Sequence, residues 1–249
     1  VGFPRSGTTM VENILAAHSA CITTDERPFT QNLVRALPGL TALDYPHALD
    51  LLDDGQCRVL RRQYWDDVRA FTGAAPGRRL LIDKQPMNMA YIGLLTRLFP
   101  GARIIVVIRD PRDVCLSCFM QAFTPNQAMS NFTTLPATVA LYDRLMTFWQ
   151  GVRAAIPLPL HEVRYDDAVA DLEGAARGLV SFLGLDWEDD ILRFNERVGD
   201  RYIQTPSYEA VSRPVYTSAL ERWRHYEEAI RPHREVLDRH ARTLGYPTD

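Results

Sequence analysis

The chain reads as an α/β protein, with a mainly parallel sheet flanked by helices. Three observations predict this. Residues 1–9, Val-Gly-Phe-Pro-Arg-Ser-Gly-Thr-Thr, place a glycine-containing loop between the end of a strand and the start of a helix. Ile104–Ile108 is a continuous β-branched run, as expected for a strand covered on both faces. Strand-like runs alternate with helix-periodic segments from start to finish without an internal repeat, which is the pattern of parallel strands joined by helical crossovers.

Taken in order, Val1–Phe3 is expected to be the end of a buried strand whose beginning precedes the chain. A helix follows from about Gly7 to His18, with Met10, Ile14 and Leu15 at apolar spacing. Thr23–Glu26 reads as a polar connection, and Pro28 as the start of the next helix. Residues from about Pro46 to Phe71 are expected to form one long charged helix, broken at Ala74–Gly77. Arg79–Asp83 is a short strand leading to Lys84 and a helix from about Asn88 to Phe99. Pro100–Gly101 is a turn before the strand Ile104–Ile108. Asp110-Pro111 then opens a helix, with Asp as the cap and Pro at the first helical position, running to about Phe123. A helix from about Ala137 to Ala155, a strand Leu160–Arg164 and a helix from about Asp167 to Leu183 complete the alternation. Val198–Pro214 reads as irregular. The arginine-rich end reads as helical, interrupted near Pro232. The class is therefore a P-loop-type α/β sheet with helical insertions, in a single domain over residues 1–249.

Composition narrows the function. A chain of 249 residues that is 46% hydrophobic buries a core without needing staples. Its net charge of −3 argues against a general nucleic-acid binder, which carries a basic excess. No apolar run approaches the ~20 residues of a membrane span. A cytoplasmic location is the expectation, although a chain that opens inside a strand leaves targeting unread. Cys115 and Cys118 form one C-x-x-C without a second pair or a nearby histidine. Zinc wants four ligands, so these read as reduced thiols on a half-buried helix, and no metal is expected. Lys84 is the only lysine; every other basic residue is arginine.

The opening loop resembles the nucleotide-phosphate pattern G-x-x-x-x-G-K-[ST] with Thr8 in the lysine slot. Gly2 and Gly7 hold the glycine positions and Thr9 the final hydroxyl. Such a loop keeps the anion cradle of a helix N-terminus but drops the charge that clamps a γ-phosphate. Ligands of parallel sheets bind at the carboxyl ends of the strands. Arg5, Lys84, Arg109 and Tyr165 each follow an expected strand, which makes one site of four strand ends.

The ordered set P-R-S-G-T-T at 4–9, D-K-Q-P at 83–86 and I-R-D-P-R-D followed by Ser117 resembles a sulfotransferase that uses 3′-phosphoadenosine 5′-phosphosulfate (PAPS). It is similar above all to tyrosylprotein sulfotransferases and the bacterial sulfotransferases like them. The resemblance implies that Ser6, Gly7, Thr8 and Thr9 cradle the 5′-phosphosulfate and that Arg5 supplies a planar charge to its oxygens. It implies that Lys84 stabilises charge on the leaving oxygen, and that Arg109 and Ser117 bind the 3′-phosphate. Gln121 stands where the family carries another arginine. Glu26 falls on the family's catalytic base, with Asp25 and His18 as rivals. Later and looser matches are Ser207 as the catalytic serine of a closing loop, with Tyr165, Tyr216 and Arg222 as nucleotide contacts. The acceptor would be a hydroxyl, of a peptide tyrosine or of a small molecule, and a homodimer is compatible with this reading. A P-loop kinase of related fold and a non-catalytic nucleotide-binding protein are the alternatives.

Overall fold

In the computed structural model of the chain, residues 1–73, 75–121, 123, 129–197 and 220–248 are described. Four strands appear among them, in two parallel pairs. β1 (Cys21–Thr23) pairs with β2 (Leu80–Ile82), Cys21 opposite Leu80. β3 (Ile104–Ile108) pairs with β4 (Leu160–Arg164), Ile104 opposite Leu160. Val1 and Gly2 lie between the pairs. The Val1 nitrogen donates to the Ile105 carbonyl at 2.8 Å, and Val107 N–H donates to the Val1 carbonyl at 3.0 Å. On the other side, Gly2 N–H donates to the carbonyl of Pro86, just beyond β2, at 3.2 Å. The order across is thus β1, β2, Val1–Gly2, β3, β4, with the loop leaving the middle of the carboxyl edge. Gly2 pairs so closely with β3 that a Cβ there would stand 2.6 Å from the Val107 carbonyl oxygen.

Helices cover both faces. They are α1 (Thr8–Ala16), α2 (Phe29–Thr41), α3 (Asp54–Thr72), α4 (Ile92–Leu98), α5 (Pro111–Phe119), α6 (Leu135–Ala155), α7 (Tyr165–Ala170), α8 (Leu172–Leu183), α9 (Phe194–Arg197), α10 (Glu227–Ile230) and α11 (Arg234–Thr243). The pleat of β3 divides them, because successive side chains point to opposite faces. Ile104, Val106 and Ile108 pack with residues of α5, α6 and α11, among them Cys115, Tyr142 and Leu237. Val107 packs with Met10 and Ile14 of α1 and with Leu179 of α8. A third cluster joins α2, α3 and α4 through Leu33, Leu60, Val68 and Leu94. Between β2 and β3 lies a cavity of about 1120 Å³ lined by Leu81, Ile82, Ile105, Val11 and Leu15, reaching Glu12 and Lys84 at one end.

The expected α/β class and parallel sheet hold, and Asp110 does cap α5, accepting from Arg112 N–H at 2.9 Å. Arg112 in turn is buried against Asp110 at 2.6 Å and Asp238 at 3.5 Å, over the Trp223 ring, tying α5 to the end of the chain. Several boundaries differ. The expected long helix from Pro46 to Phe71 is two elements, a 3₁₀ turn at His47–Leu51 and α3. Asp53 separates them with a capping box, accepting from Gln56 N–H while Gln56 reaches back to Asp53 N–H. The helix expected from Asn88 begins as a 3₁₀ turn, Pro86–Tyr91. α5 stops at Phe119 rather than Phe123. The helix expected over Asp167–Leu183 is broken at Asp171, whose side chain caps α8 by accepting from Gly174 N–H at 2.9 Å. Cys21–Thr23, expected outside any strand or as connection, is β1.

Candidate active site

The loop leaving Gly2 turns on two residues with left-handed backbone, Arg5 (φ 69°) and Gly7 (φ 100°). For an L-residue such as Arg5 this costs about 1–2 kcal/mol, so it must be held from outside. It is. Arg109 Nη1, just past β3, donates to the Arg5 carbonyl at 3.2 Å, and Arg5 Nε donates to Ser117 Oγ on α5 at 3.1 Å. Cys118 Sγ, one residue further, donates to the Pro4 carbonyl at 3.2 Å. Both α5 cysteines are fully buried, and α5 is buried over most of its length rather than on one half.

Gly7 is the N-cap of α1 and brings no capping side chain. The N–H groups of Thr8 and Thr9, in the first turn, have no acceptor within their own helix. The side chains of Ser6, Thr8 and Thr9 are buried around this end. Together with the helix dipole, free amides and hydroxyls form an anion cradle. Its far wall is Tyr165, the first residue of α7. A Cβ on Gly7 would stand 2.4 Å from Tyr165 Cδ2, so the ring lies directly on the loop.

Lys84, two residues beyond β2, is 4% exposed and enters the site from the neighbouring strand end. Its Nζ lies 2.7 Å from Glu26 Oε1, 3.3 Å from Glu12 Oε2, 3.6 Å from Asp25 Oδ1 and 3.5 Å from Thr9 Oγ1. Burial works against the Lys84 charge, but Glu12 and Glu26, with Asp25, outweigh it and hold the pKa above the ordinary lysine value. Asp83, the acid next to Lys84, does not take part: it accepts the Tyr64 hydroxyl at 2.8 Å. Glu12 lies on α1, one turn past Thr8, and is as buried as the lysine. Burial pushes its carboxyl up to about 7 against the pull of Lys84, and Asp25 adds to the rise. Sequence motifs pass over Glu12. The signal that would have found it is an acid inside a short apolar helix, on the same face as Thr8 and Thr9 of the loop motif and Leu15.

The Arg109 guanidinium sits 4.8 Å over the Tyr165 ring and 3.9 Å from Asp113 on α5. Asp113 also accepts Trp223 N–H at 2.8 Å, which brings the segment after residue 220 to this side. Arg222 is nevertheless exposed, its guanidinium 5.9 Å from the Tyr226 ring, and among the described residues it does not join Arg5 and Arg109. Ser207 and Tyr216 lie outside the described residues. His18, a rival base, is turned away: its Nδ1 accepts Ala20 N–H at 3.0 Å, so its proton sits on Nε2, 2.8 Å from the Asp186 carbonyl.

The structure thus joins Arg5, Ser117, Arg109, Gly7 and Tyr165 on one side of the α1 terminus, and Lys84, Glu26 and Thr9 on the other. Residues 1–189 match the model of the sulfotransferase family. A protein of Aquifex aeolicus is 28% identical over 257 residues, which is 99% of this chain and 33% of that protein. Protein-tyrosine sulfotransferase 2 of Gallus gallus is 24% identical over 253 residues, 89% of this chain and 61% of its own. The chain therefore spans less than two thirds of either relative. Among solved structures, the sulfotransferase domain of the Synechococcus PCC 7002 olefin synthase shares the fold, with a TM-score of 0.62 at 20% identity over 90% of this chain and 85% of that one. The motif order seen in the sequence, the strand ends that carry it and a family match running from the loop past α8 agree, and the chain belongs to the sulfotransferase family.

Proposed function

We propose that this chain moves the sulfuryl group of PAPS to an acceptor hydroxyl, with peptide tyrosine as the first acceptor to test. The observation that carries the reading is the placement of Lys84 and Arg5 on opposite sides of an uncapped helix terminus. Lys84 also contacts a carboxylate, Glu26, that solvent can reach. The cradle fits an anionic donor: its amides are unsatisfied within α1, and its close approach to Tyr165 leaves room only for glycine at position 7. PAPS supplies a sulfuryl group on a nucleotide that leaves as 3′-phosphoadenosine 5′-phosphate.

The residues divide the work. Thr8, Thr9 and Ser6 orient the phosphosulfate. Arg5 and Lys84 stabilise charge that builds on the sulfuryl and bridging oxygens, where preorganised cations act most strongly. Glu26 takes the acceptor proton as the hydroxyl attacks. Arg109 and Ser117 bind the 3′-phosphate, and Tyr165 packs against the nucleotide side of the loop. Ser207 and Tyr216 are assigned to catalysis and donor binding by their place in the family pattern, whereas Arg222, exposed beside Tyr226, is given no role. Support for tyrosine as acceptor comes from the similarity to the chicken protein-tyrosine sulfotransferase.

The test is transfer from sulfur-35-labelled PAPS to a panel of tyrosine peptides, phenols and glycans. Label on at least one hydroxyl is expected. ATP-dependent transfer without PAPS activity would overturn the reading in favour of a kinase. Tight binding of adenosine 3′,5′-bisphosphate without turnover on any acceptor would favour a binding protein.

A further inference from the structure

Lys84 and Glu26 are in contact in the structure, and that contact is incompatible with both of their proposed roles. At 2.7 Å the ammonium occupies the carboxylate that should receive a proton, and the carboxylate neutralises the charge that should meet the donor. The pair has to open when the donor's oxygens approach Lys84. Something must then keep the lysine at the loop and keep the Glu26 turn in place.

Glu12 is built to do this. One of its oxygens, Oε2, lies 3.3 Å from Lys84 Nζ, while the other, Oε1, accepts the Asp25 N–H at 3.0 Å. Asp25 has a left-handed backbone, φ 56°, in a residue that pays steric strain for it. Its flanks are fixed as well: Thr24 N–H donates to the Ile82 carbonyl on β2 at 3.2 Å, and Arg27 N–H donates to the Asp25 carbonyl at 3.0 Å. Glu12 is 5% exposed, whereas the Asp25 and Glu26 side chains are 25% and 31% exposed. The Asp25 and Glu26 side chains are partly open to solvent, and so to an acceptor hydroxyl, and Glu12 is not.

We propose that Glu12 is a positioning residue for sulfuryl transfer: it anchors Lys84 with one oxygen and the Asp25–Glu26 turn with the other, so that the Lys84–Glu26 pair opens without either group leaving the site. The proposal rests on the sulfuryl-transfer reading above. Charged groups facing Glu12 are Lys84 from beyond β2 and Asp25 and Glu26 from the connection after β1; Thr9 of its own helix completes the Lys84 contacts.

Two variants separate its functions. Glu12→Gln keeps the volume and an acceptor for Asp25 N–H but removes the charge. Glu12→Ala removes both. With PAPS as donor and a tyrosine peptide or 4-methylumbelliferone as acceptor, Glu12→Ala is expected to lower kcat by ~10², the scale of an ångström of misplacement, with KM for PAPS changed less than threefold. Glu12→Gln should recover only part of that loss, because its single oxygen serves the Asp25 N–H while its NH2 cannot accept from the Lys84 ammonium. Equal kcat per folded molecule in all three proteins, with only the melting temperature lowered, would overturn the proposal. A second readout needs no acceptor. With 13C-lysine labelling, the single lysine gives one side-chain Cε–Hε signal, which in wild type should titrate near neutral pH and in Glu12→Gln should not. An inflection near pH 7 that keeps its wild-type size in Glu12→Gln would also overturn it; Asp83, next to Lys84, is raised only to about 6. Absence of both nucleotide binding and transfer in wild type is a different result, and counts against the sulfuryl-transfer reading itself.

Discussion

Lys84 Nζ and Glu26 Oε1 lie 2.7 Å apart although they come from connections 58 residues apart. The two residues are assigned to opposite ends of one displacement, one to the departing oxygen and one to the incoming hydroxyl. Their contact brings the residue after β2 and the β1–α2 connection together beside the anion loop. It also means that a substitution at either residue changes the surroundings of the other.

Lys84→Ala is expected to lower turnover by ~10²–10³, the scale for losing one oxyanion donor. Lys84→Arg should not restore it. The ammonium sits among three carboxylates within 3.6 Å, and a planar fork needs different partners. Steady-state kinetics with PAPS checks this; a loss under tenfold in the alanine variant contradicts the assigned role.

Glu26→Gln should lower turnover by ~10²–10⁴ and leave the affinity for adenosine 3′,5′-bisphosphate within threefold of wild type. Asp25→Asn is the matched control, since Asp25 Oδ1 also faces Lys84 but at 3.6 Å. If the asparagine variant shows the larger loss, the base is residue 25.

Gly7→Ala is expected to destabilise the fold by about 2–5 kcal/mol, from left-handed strain together with overpacking against Tyr165. Urea unfolding measures it. In a Tyr165→Ala background the packing part should vanish and the backbone part remain. Full additivity of the two substitutions would show that the ring and the loop do not touch.

Stability should fall as pH rises from about 4 to 7. Burial raises Glu12 from 4.5 to about 7, and it raises Asp113 from 3.8 to about 6 against the pull of Arg109. A carboxyl whose folded pKa is raised binds its proton more tightly in the native state. Its contribution is complete below the unfolded value and is lost as pH passes the folded one. Asp83 is raised to about 6 as well, and Glu12→Gln removes only the Glu12 contribution. Its melting temperature relative to wild type should therefore be higher at pH 8 than at pH 4.5. A difference that does not change with pH would contradict the raised pKa.

Much of the architecture was legible because single segments carried it. Ile104–Ile108 and Leu160–Arg164 are strands with the bounds their β-branched or alternating composition implies. Asp110 caps α5 as the Asp-Pro pair indicated. β1 was not legible, because three residues show no periodicity and its pairing with β2 crosses almost sixty positions. The split near Asp53 was written in the sequence as a capping box, Asp53 with Gln56, inside an otherwise helical charge pattern. At the site, Arg5, Lys84 and Arg109 were legible as strand-end residues in motifs. Glu12 was not, since its partners are a lysine and a backbone amide supplied by other elements. Arg222 shows the reverse: a position in a pattern does not bring a side chain inward.

The burial of Lys84 has a chemical consequence for the whole chain. Apart from six histidines, all other basic side chains are guanidinium groups, so no side-chain amine of this sequence is exposed. Acylating reagents and aldehydes that modify lysine find one side-chain target, closed off behind carboxylates. Access of such a reagent to that amine would report the site opening, with no background from the rest of the side chains.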